Sequence, residues 1–511
     1  METKEPIIND ENDEDNQIKV EINDKARSAI YICLILIATF SSCDGGIIPQ
    51  QKDYLTSDFN PNNQENNNIN DNNSLVGFFG SVDYIGRVVG ALIFAAIMGK
   101  MNRKILLVST LIFKALTLFI ALIPQTGSLS NIIARGFSGI SQVFYTSYLP
   151  VWCDQYGVKS QRAIMVTLVQ LGNPIGIIIG YGLGVICEKI MISTTQNNTN
   201  KIIFNGWRLA FGVEGIILII CGIIIWFFSD KYFSCNFVLI SDNEGKEEEI
   251  KDKSINLCSI LSNFKEIIKN WLFLFTTLSN CVAFFGMSII QYWGDNYMDS
   301  VLGMSGTVRF FAFSGLCLLG PICGMVFGGL VCSKLGGYNK KNSMVFIIIL
   351  SLIASIISST IAIHKNKVMF VVTCWSFLFF ICATIPPESG IIISSLENRL
   401  RGDGFSLCNS ILNLIGSFPA SYVYSLISDG FVNNLTPEEK VNNEHFRYAW
   451  NVCMVYNYVG LIFVIIAGVF RFKIKEDLSN EDLNDDIDNL VEEEKTNNAN
   501  EIMNMKSDSR L

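Results

Sequence analysis

The most regular feature of this sequence is a repeated alternation between long apolar runs and polar loops. A helix needs about 20 mainly apolar residues to cross the hydrocarbon core of a bilayer, and twelve stretches meet that requirement. The pattern therefore predicts an all-α integral membrane protein. The predicted spans cover about 27–48, 75–98, 104–123, 131–153, 163–187, 208–229, 271–293, 310–333, 343–363, 368–389, 404–428 and 449–471.

A polar stretch at 230–269 divides the spans six and six, and we interpret it as a cytosolic linker. It separates an N-terminal bundle at 27–229 from a C-terminal bundle at 270–472. An N-terminal tail at 1–26 lacks the short apolar core of a cleavable signal, so the first span is expected to act as the insertion signal. The acidic tail at 473–511 is expected to be disordered.

Composition agrees with a membrane protein and restricts the function. The chain is 50% hydrophobic and has a mean hydropathy of +0.36. Its net charge of −9 lies largely in the tails and the middle loop, so it does not indicate a nucleic-acid partner. The sequence shows no phosphate-binding loop or nucleophile constellation, and we expect neither an enzyme nor a cofactor.

Cysteine and histidine usage narrows the chemistry further. The 15 cysteines are scattered and fall mainly in spans, where a cysteine is most often an apolar packing residue, so no metal site is expected. The two histidines, His364 and His445, lie at span ends or in loops. Any proton coupling must therefore use carboxylates.

Basic residues predict the orientation in the membrane. Ten of them lie in the four short loops after spans 2, 4, 8 and 10, whereas nine are spread over the six opposite loops. The positive-inside rule places the first set and both termini in the cytosol. Three sequons then fall in outside loops as candidate glycosylation sites, at Asn72, Asn197 and Asn434.

Two spans carry a glycine at every fourth position, which makes one face of each helix smooth enough for close backbone approach. We expect these faces to form a joint between the bundles, because alternating access requires faces that slide or rock. Tight static packing is the alternative. The glycines are Gly172, Gly176, Gly180 and Gly184 in span 5, and Gly320, Gly324 and Gly328 in span 8.

Several sequence blocks are shared with a known family. They include SSCDGGIIPQ in span 1, ARGFSGISQVFYTSYLP in span 4, QLGNPIGIIIGYGLG in span 5 and NGWRLAF before span 6. These blocks resemble the major facilitator superfamily and, within it, the Spinster-like lipid transporters. The resemblance implies the major facilitator fold, with twelve transmembrane helices in two pseudo-symmetric six-helix bundles.

The resemblance also implies a function. We expect a monomeric secondary active transporter that moves an amphipathic anionic lipid, of lysophospholipid or sphingoid-phosphate type, by alternating access. Its partners would be that substrate, membrane lipids and, if transport is coupled, protons. Two alternatives stay open: a transporter of a small polar metabolite (sugar, amino acid or organic anion), and a membrane sensor that binds without transporting. The host membrane, plasma or endolysosomal/vacuolar, is left open.

The loop after span 2 departs from the superfamily pattern, which normally reads Gly-x-x-x-Asp-Arg-x-Gly-Arg-Lys. Gly99 stands at the Asp position, and only Asn102, Arg103 and Lys104 follow the pattern. In the superfamily that Asp helps to latch the cytosolic gate. We therefore expect the gate at this bundle interface to be latched more weakly or differently.

Span 4 departs from the Spinster pattern, because the acidic residue of helix 4 is Gln142 here, and a glutamine cannot titrate. Proton coupling of transport would then be lost or shifted to Asp44, near the outer end of span 1. The alternative for Asp44 is that it merely lies at the membrane interface. Arg135 shares a helical face with Gln142 and suits an anionic head group. The alternative is that Arg135 pairs with Asp44 or Asp83. We expect Asp44, Arg135 and Gln142 to converge on one cavity.

The other charged or aromatic residues in the spans are weaker candidates. Asp83 and Arg87 lie four residues apart in span 2 and can pair within the helix. Glu388 follows a double proline in span 10, where an interrupted helix is typical of a cavity wall. Trp293 could line the path or anchor the helix at the interface. Lys114 in span 3 has no predicted partner.

Overall fold

The computed structural model describes helices in both predicted bundles. Gly99 and the three sequon asparagines, Asn72, Asn197 and Asn434, lie outside the described residues. Every regular element in the described ranges is helical. These ranges are 24–59, 73–97, 101–123, 127–157, 162–195, 206–233, 257–337, 340–363, 366–397, 400–432 and 443–473.

The α-helices follow one another in chain order, and a π-helical turn, Leu412–Ser417, joins α14 to α15. After Val455 the last helix continues, past a turn, through 457–473. The helices are α1 (Asp24–Phe40), α2 (Asp44–Gln50), α3 (Lys52–Phe59), α4 (Asn73–Ile97), α5 (Arg103–Ile120), α6 (Ser128–Tyr156), α7 (Arg162–Thr195), α8 (Gly206–Trp226), α9 (Leu257–Ile268), α10 (Trp271–Ser300), α11 (Gly306–Lys334), α12 (Lys341–Thr360), α13 (Lys367–Ser394), α14 (Arg401–Ile411), α15 (Phe418–Val432) and α16 (Glu444–Val455).

All twelve predicted spans coincide with helices in this set. Within the described ranges, ten helical segments are long and apolar enough to cross a membrane, judged by length and composition. The remaining two predicted spans lie on α5 and α6. These helices carry the buried Lys114 and Arg135, and such polar side chains lower the hydropathy of the segments that contain them.

Contacts between Cα atoms group the chain into two units. The first contains Met1–Ile47 and Leu92–Val238, and the second contains Ile48–Ala91 and Leu239–Leu511. Span 2 is thereby divided, because most of α4 groups with the later helices. The domain limits expected from span order, 27–229 and 270–472, stay a prediction.

In the first unit, the glycine face of α7 packs against α1. A Cβ atom at Gly176 would overlap the carbonyl oxygen of Thr39, and one at Gly180 would overlap that of Cys43. Only glycine leaves room for so close an approach of two backbones. The contact therefore fixes the short turn between α1 and α2, where Asp44 begins the second helix.

In the second unit, the glycine face of α11 packs against α13 in the same manner. A Cβ at Gly324 would overlap the Phe379 carbonyl oxygen, and one at Gly328 would overlap that of Ala383. Pro387 has no N–H to donate to the Ala383 carbonyl, so this hydrogen bond is missing, but α13 continues through the double proline, and the interruption expected there is not observed. Each glycine face thus packs tightly against a helix of its own unit. A role for these faces in a joint between the bundles stays a prediction.

Candidate functional site

Buried polar side chains from four helices meet in the first unit, and we call them the Asp44 cluster. They come from α2, α5, α6 and α8, and none is more than 7% exposed. Their glycine-packed neighbour α7 holds the turn before α2 in place. The members are Asp44, Lys114, Arg135, Gln142 and Glu214.

Lys114 is the centre of this cluster. Its ammonium nitrogen lies 3.1 Å from Asp44 Oδ2 and 3.7 Å from Glu214 Oε1, and it donates to Gln142 Oε1 at 3.4 Å. It also donates to the backbone carbonyl of Ser41. A lysine buried without such partners would be costly in a membrane, so these contacts explain how span 3 tolerates it.

Asp44 forms ion pairs with both Lys114 of span 3 and Arg135 of span 4. Its Oδ2 atom accepts from Arg135 Nη1 as well as from Lys114, and its Oδ1 accepts from the backbone N–H of Gly45 at 2.8 Å. The alternative in which Arg135 pairs with Asp44 is therefore the arrangement observed. Asp44, Arg135 and Gln142 belong to one cluster, as the sequence predicts, while their transport roles stay predictions.

The formal charges of the Asp44 cluster balance. Two acids, Asp44 and Glu214, face two bases, Lys114 and Arg135. Buried charges are tolerated when they are paired and hydrogen-bonded. The neutral amide of Gln142 accepts from Lys114 without adding a charge, so an acid at this position would give the cluster an excess negative charge.

Glu388 on α13 is a second buried carboxylate with a different environment. It is 1% exposed, and its Oε1 accepts a hydrogen bond from Ser279 Oγ of α10 at 3.0 Å. Its Oε2 atom has no hydrogen-bond partner. Within the described part of the chain, no basic side chain forms an ion pair with it.

The other sequence candidates in the second unit have partners of their own. Asp83 is buried and pairs with Arg87 along α4 at 2.8 Å, as the four-residue spacing predicts. Trp293 is also buried and donates its indole N–H to the Ser421 carbonyl at 3.1 Å. It is therefore an internal packing residue in this structure, and lining a path stays a prediction for it.

Lys52 is buried, although the predicted topology places it in an outside loop and it is not among the predicted site residues. Lys52 is 4% exposed, and its ammonium nitrogen lies 4.1 Å from the Trp293 ring centroid and 4.9 Å from that of Phe446. Such cation–π contacts favour a buried lysine. Its only sequence signal is its position just after the apolar end of span 1.

Basic and polar residues that follow span 2 contact an acidic residue elsewhere in the first unit, Asp230. Lys104 Nζ pairs with Asp230 Oδ1 at 2.8 Å, and Asn102 donates to Asp230 Oδ2 at 3.1 Å. The Lys104 ammonium, through its hydrogen bond, holds the pKa of the exposed Asp230 carboxyl below its usual value. Arg103 follows Asn102 at the start of α5. Asp230 thus supplies a carboxylate to the loop in which Gly99 stands at the Asp position of the superfamily pattern.

Comparison with known proteins defines the class. The family profile of the Major Facilitator Superfamily matches residues 30–420, so the chain belongs to that superfamily. It is a multi-pass membrane transporter, and the predicted all-α fold with twelve transmembrane helices is confirmed by this match and by the structural comparison below.

The predicted resemblance to Spinster-like proteins is also confirmed. The chain is 20% identical to the sphingosine-1-phosphate transporter SPNS2 of Xenopus tropicalis, over 76% of this chain and 73% of that protein. It is 21% identical to protein spinster homolog 1 of the same species, over 80% and 75%. A bacterial homolog of the human lysosomal transporter Spinster superposes with a TM-score of 0.71 at 14% identity, covering 88% of this chain and 99% of that one. The D-xylose-proton symporter superposes with a TM-score of 0.61 at 12% identity, covering 86% and 97%.

Proposed function

We propose that the protein transports an amphipathic anionic lipid, of lysophospholipid or sphingoid-phosphate type, by alternating access. The observation that carries this proposal is the buried guanidinium of Arg135, held by Asp44 among apolar helices. A guanidinium offers five N–H donors in a planar fork, which suits a phosphate better than a neutral sugar. The name of one relative, the sphingosine-1-phosphate transporter SPNS2, supports a lipid substrate.

Arg135 would exchange partners during substrate binding. In the described state its Nη1 donates to Asp44. A head-group phosphate at Arg135 would compete with that carboxylate and add negative charge to a balanced cluster. Protonation of Asp44 would offset the added charge, so this site could couple lipid movement to protons.

Alternating access also requires contacts that break when the protein opens to the other side. In the second unit, the hydroxyls of Ser81 on α4 and Ser421 on α15 form a hydrogen bond. Tyr292 of α10 donates to the Val76 carbonyl at 2.7 Å. We assign these contacts to the non-cytosolic side of the transporter. Both termini are assigned to the cytosol. We expect the protein to act as a monomer.

A transport panel in liposomes tests the proposed substrate class. Wild-type full-length protein is reconstituted, and uptake of labelled lysophospholipid, sphingoid phosphate, a sugar and an amino acid is compared with protein-free liposomes. We expect lipid uptake alone. Uptake of sugar or amino acid without lipid, or saturable lipid binding with no movement in either direction, would each overturn the proposal.

A disulfide trap tests alternating access. The double variant Ser81→Cys/Ser421→Cys should lose transport on oxidation and recover it on reduction, because a bond at this contact holds α4 against α15. Each single variant is the control and should respond to neither treatment. Full transport by the oxidised, cross-linked double variant would contradict this assignment.

A further inference from the structure

The environment of Glu388 differs from that of every other buried acid in the described spans. Asp44, Asp83 and Glu214 each lie within 4 Å of a basic side chain. Glu388 has only the hydroxyl of Ser279. An ionised carboxylate without a counter-charge is costly in hydrocarbon, whereas a protonated carboxyl is neutral.

The helices packed around Glu388 offer polar but uncharged groups. Ser279 of α10 is its hydrogen-bond donor, and the thiols of Cys281 on α10 and Cys408 on α14 are titratable groups that interact with it electrostatically. No lysine, arginine or histidine of α10, α11, α12 or α14 pairs with it in the described ranges. The next residue on α10, Asn280, is 2% exposed, and its Oδ1 has no hydrogen-bond partner.

The backbone beside Glu388 is also short of donors. The two prolines at 386 and 387 remove the N–H groups that would reach the carbonyls of Cys382 and Ala383. A protonated carboxyl brings an O–H donor into this acceptor-rich surrounding. A carboxylate would bring two further acceptors instead.

We propose that Glu388 is a proton-binding site in the second unit, separate from the Asp44 cluster. Only the role of Glu388 in the transport cycle rests on the proposed function, because proton binding by this side chain does not depend on which substrate is transported. The carboxylate takes one proton from hydronium when the site is hydrated, leaving water, and it returns that proton to water on the other side of the membrane, which forms hydronium again. No other bond changes.

Infrared spectroscopy of the purified full-length protein tests the binding step. Spectra are recorded in mildly acidic and mildly alkaline buffer, and the carbonyl band of a protonated carboxylic acid is followed. We expect wild type to show this band as a buried carboxyl that shifts on ¹³C-labelling of glutamate. We expect Glu388→Gln to lose it. Glu397→Gln, which removes an exposed acid near the end of the same helix, should retain it.

A band of the same size in Glu388→Gln and wild type would overturn the proposal, even if lipid uptake were intact. Loss of lipid uptake with the band intact would count against the proposed function alone. If Glu388→Gln does not fold, the labelled wild-type protein decides: a band that does not shift with ¹³C-glutamate contradicts the assignment.

A second experiment measures whether lipid transport is coupled to proton movement through Glu388. With a pH gradient across the liposome membrane, wild type should accumulate lipid, whereas Glu388→Gln should accumulate less, because one of the two proposed proton sites is lost while Asp44 remains. Gradient-driven accumulation by Glu388→Gln equal to that of wild type would contradict a role in the cycle.

Discussion

Asp44 and Glu388 are two equally buried carboxylates, at 2% and 1% exposure, yet they are stabilised in opposite ways. Each lies on or just after a helix that packs against a glycine face. Asp44 is held by two cations, and Glu388 is held by one hydroxyl. Burial alone therefore does not define the function of a membrane carboxylate, because its charge partners decide which protonation state is favoured.

Removing the charge at Asp44 should have the largest effect. Asp44→Asn leaves Lys114 and Arg135 with Glu214 as their remaining acid in the cluster, and loss of one partner from a buried ion pair costs about 3–5 kcal/mol. Glu388→Gln breaks no ion pair and should cost below about 1 kcal/mol. Thermal unfolding in detergent measures both. The exposed Asp53 provides the control, Asp53→Asn, which should be neutral.

Equal destabilisation by Asp44→Asn and Glu388→Gln would contradict the inferred difference between the two carboxylates. It would mean that Glu388 is ionised and that its charge contributes to stability as much as the paired charge of Asp44 does.

Adding a charge at Gln142 should have a smaller, pH-dependent effect. Gln142→Glu gives the balanced Asp44 cluster an excess negative charge when the new side chain is ionised. Transport should fall in alkaline buffer and recover in acidic buffer, as the extra carboxylate becomes protonated. Initial uptake rates across a pH series measure this change.

Gln142→Leu serves as the uncharged control and should show no acid recovery. A Gln142→Glu variant with the same pH profile as wild type would show that charge balance does not govern this cluster.

The ion pair between the buried Lys104 and the exposed Asp230 should give the smallest effect. The pKa of Asp230 is lowered in the folded protein, so its contribution to stability is present above the unfolded carboxyl value of about 3.9. It is lost as the pH falls through the lowered folded value. Asp230→Asn should therefore lower the unfolding temperature slightly at neutral pH and leave it unchanged in strongly acidic buffer.

The double variant Asp230→Asn/Lys104→Met sharpens that prediction. If the two residues act as a pair, the double variant should be no less stable than Asp230→Asn alone. Additive losses would show that they contribute separately.

Sequence alone places the helices well, because length and hydropathy decide which segments can cross a bilayer. It also identifies Asp44, Arg135 and Gln142 as one group, since polar residues in spans tend to face the interior. It does not identify partners that are distant along the chain. Lys114 and Asp44 are 70 residues apart, and which helices are neighbours depends on packing.

The same limit applies to the glycine faces and to Asp230. A glycine repeat indicates that a backbone can come close, but not which one, and the described contacts are with α1 and α13. Asp230 lies 126 residues from Lys104, and no local pattern links them. The missing counter-charge of Glu388 is likewise visible only once its neighbouring helices are known.

Lipid uptake by Arg135 variants tests whether this guanidinium binds the lipid head group. Arg135→Ala should lower the initial uptake of labelled lysophospholipid or sphingoid phosphate at least about tenfold, equivalent to about 1.4 kcal/mol, and Arg135→Lys should be intermediate. Arg447→Ala, which removes a guanidinium paired with Glu444 in the second unit, should transport as wild type. Uptake by folded Arg135→Ala equal to that of wild type would contradict the account.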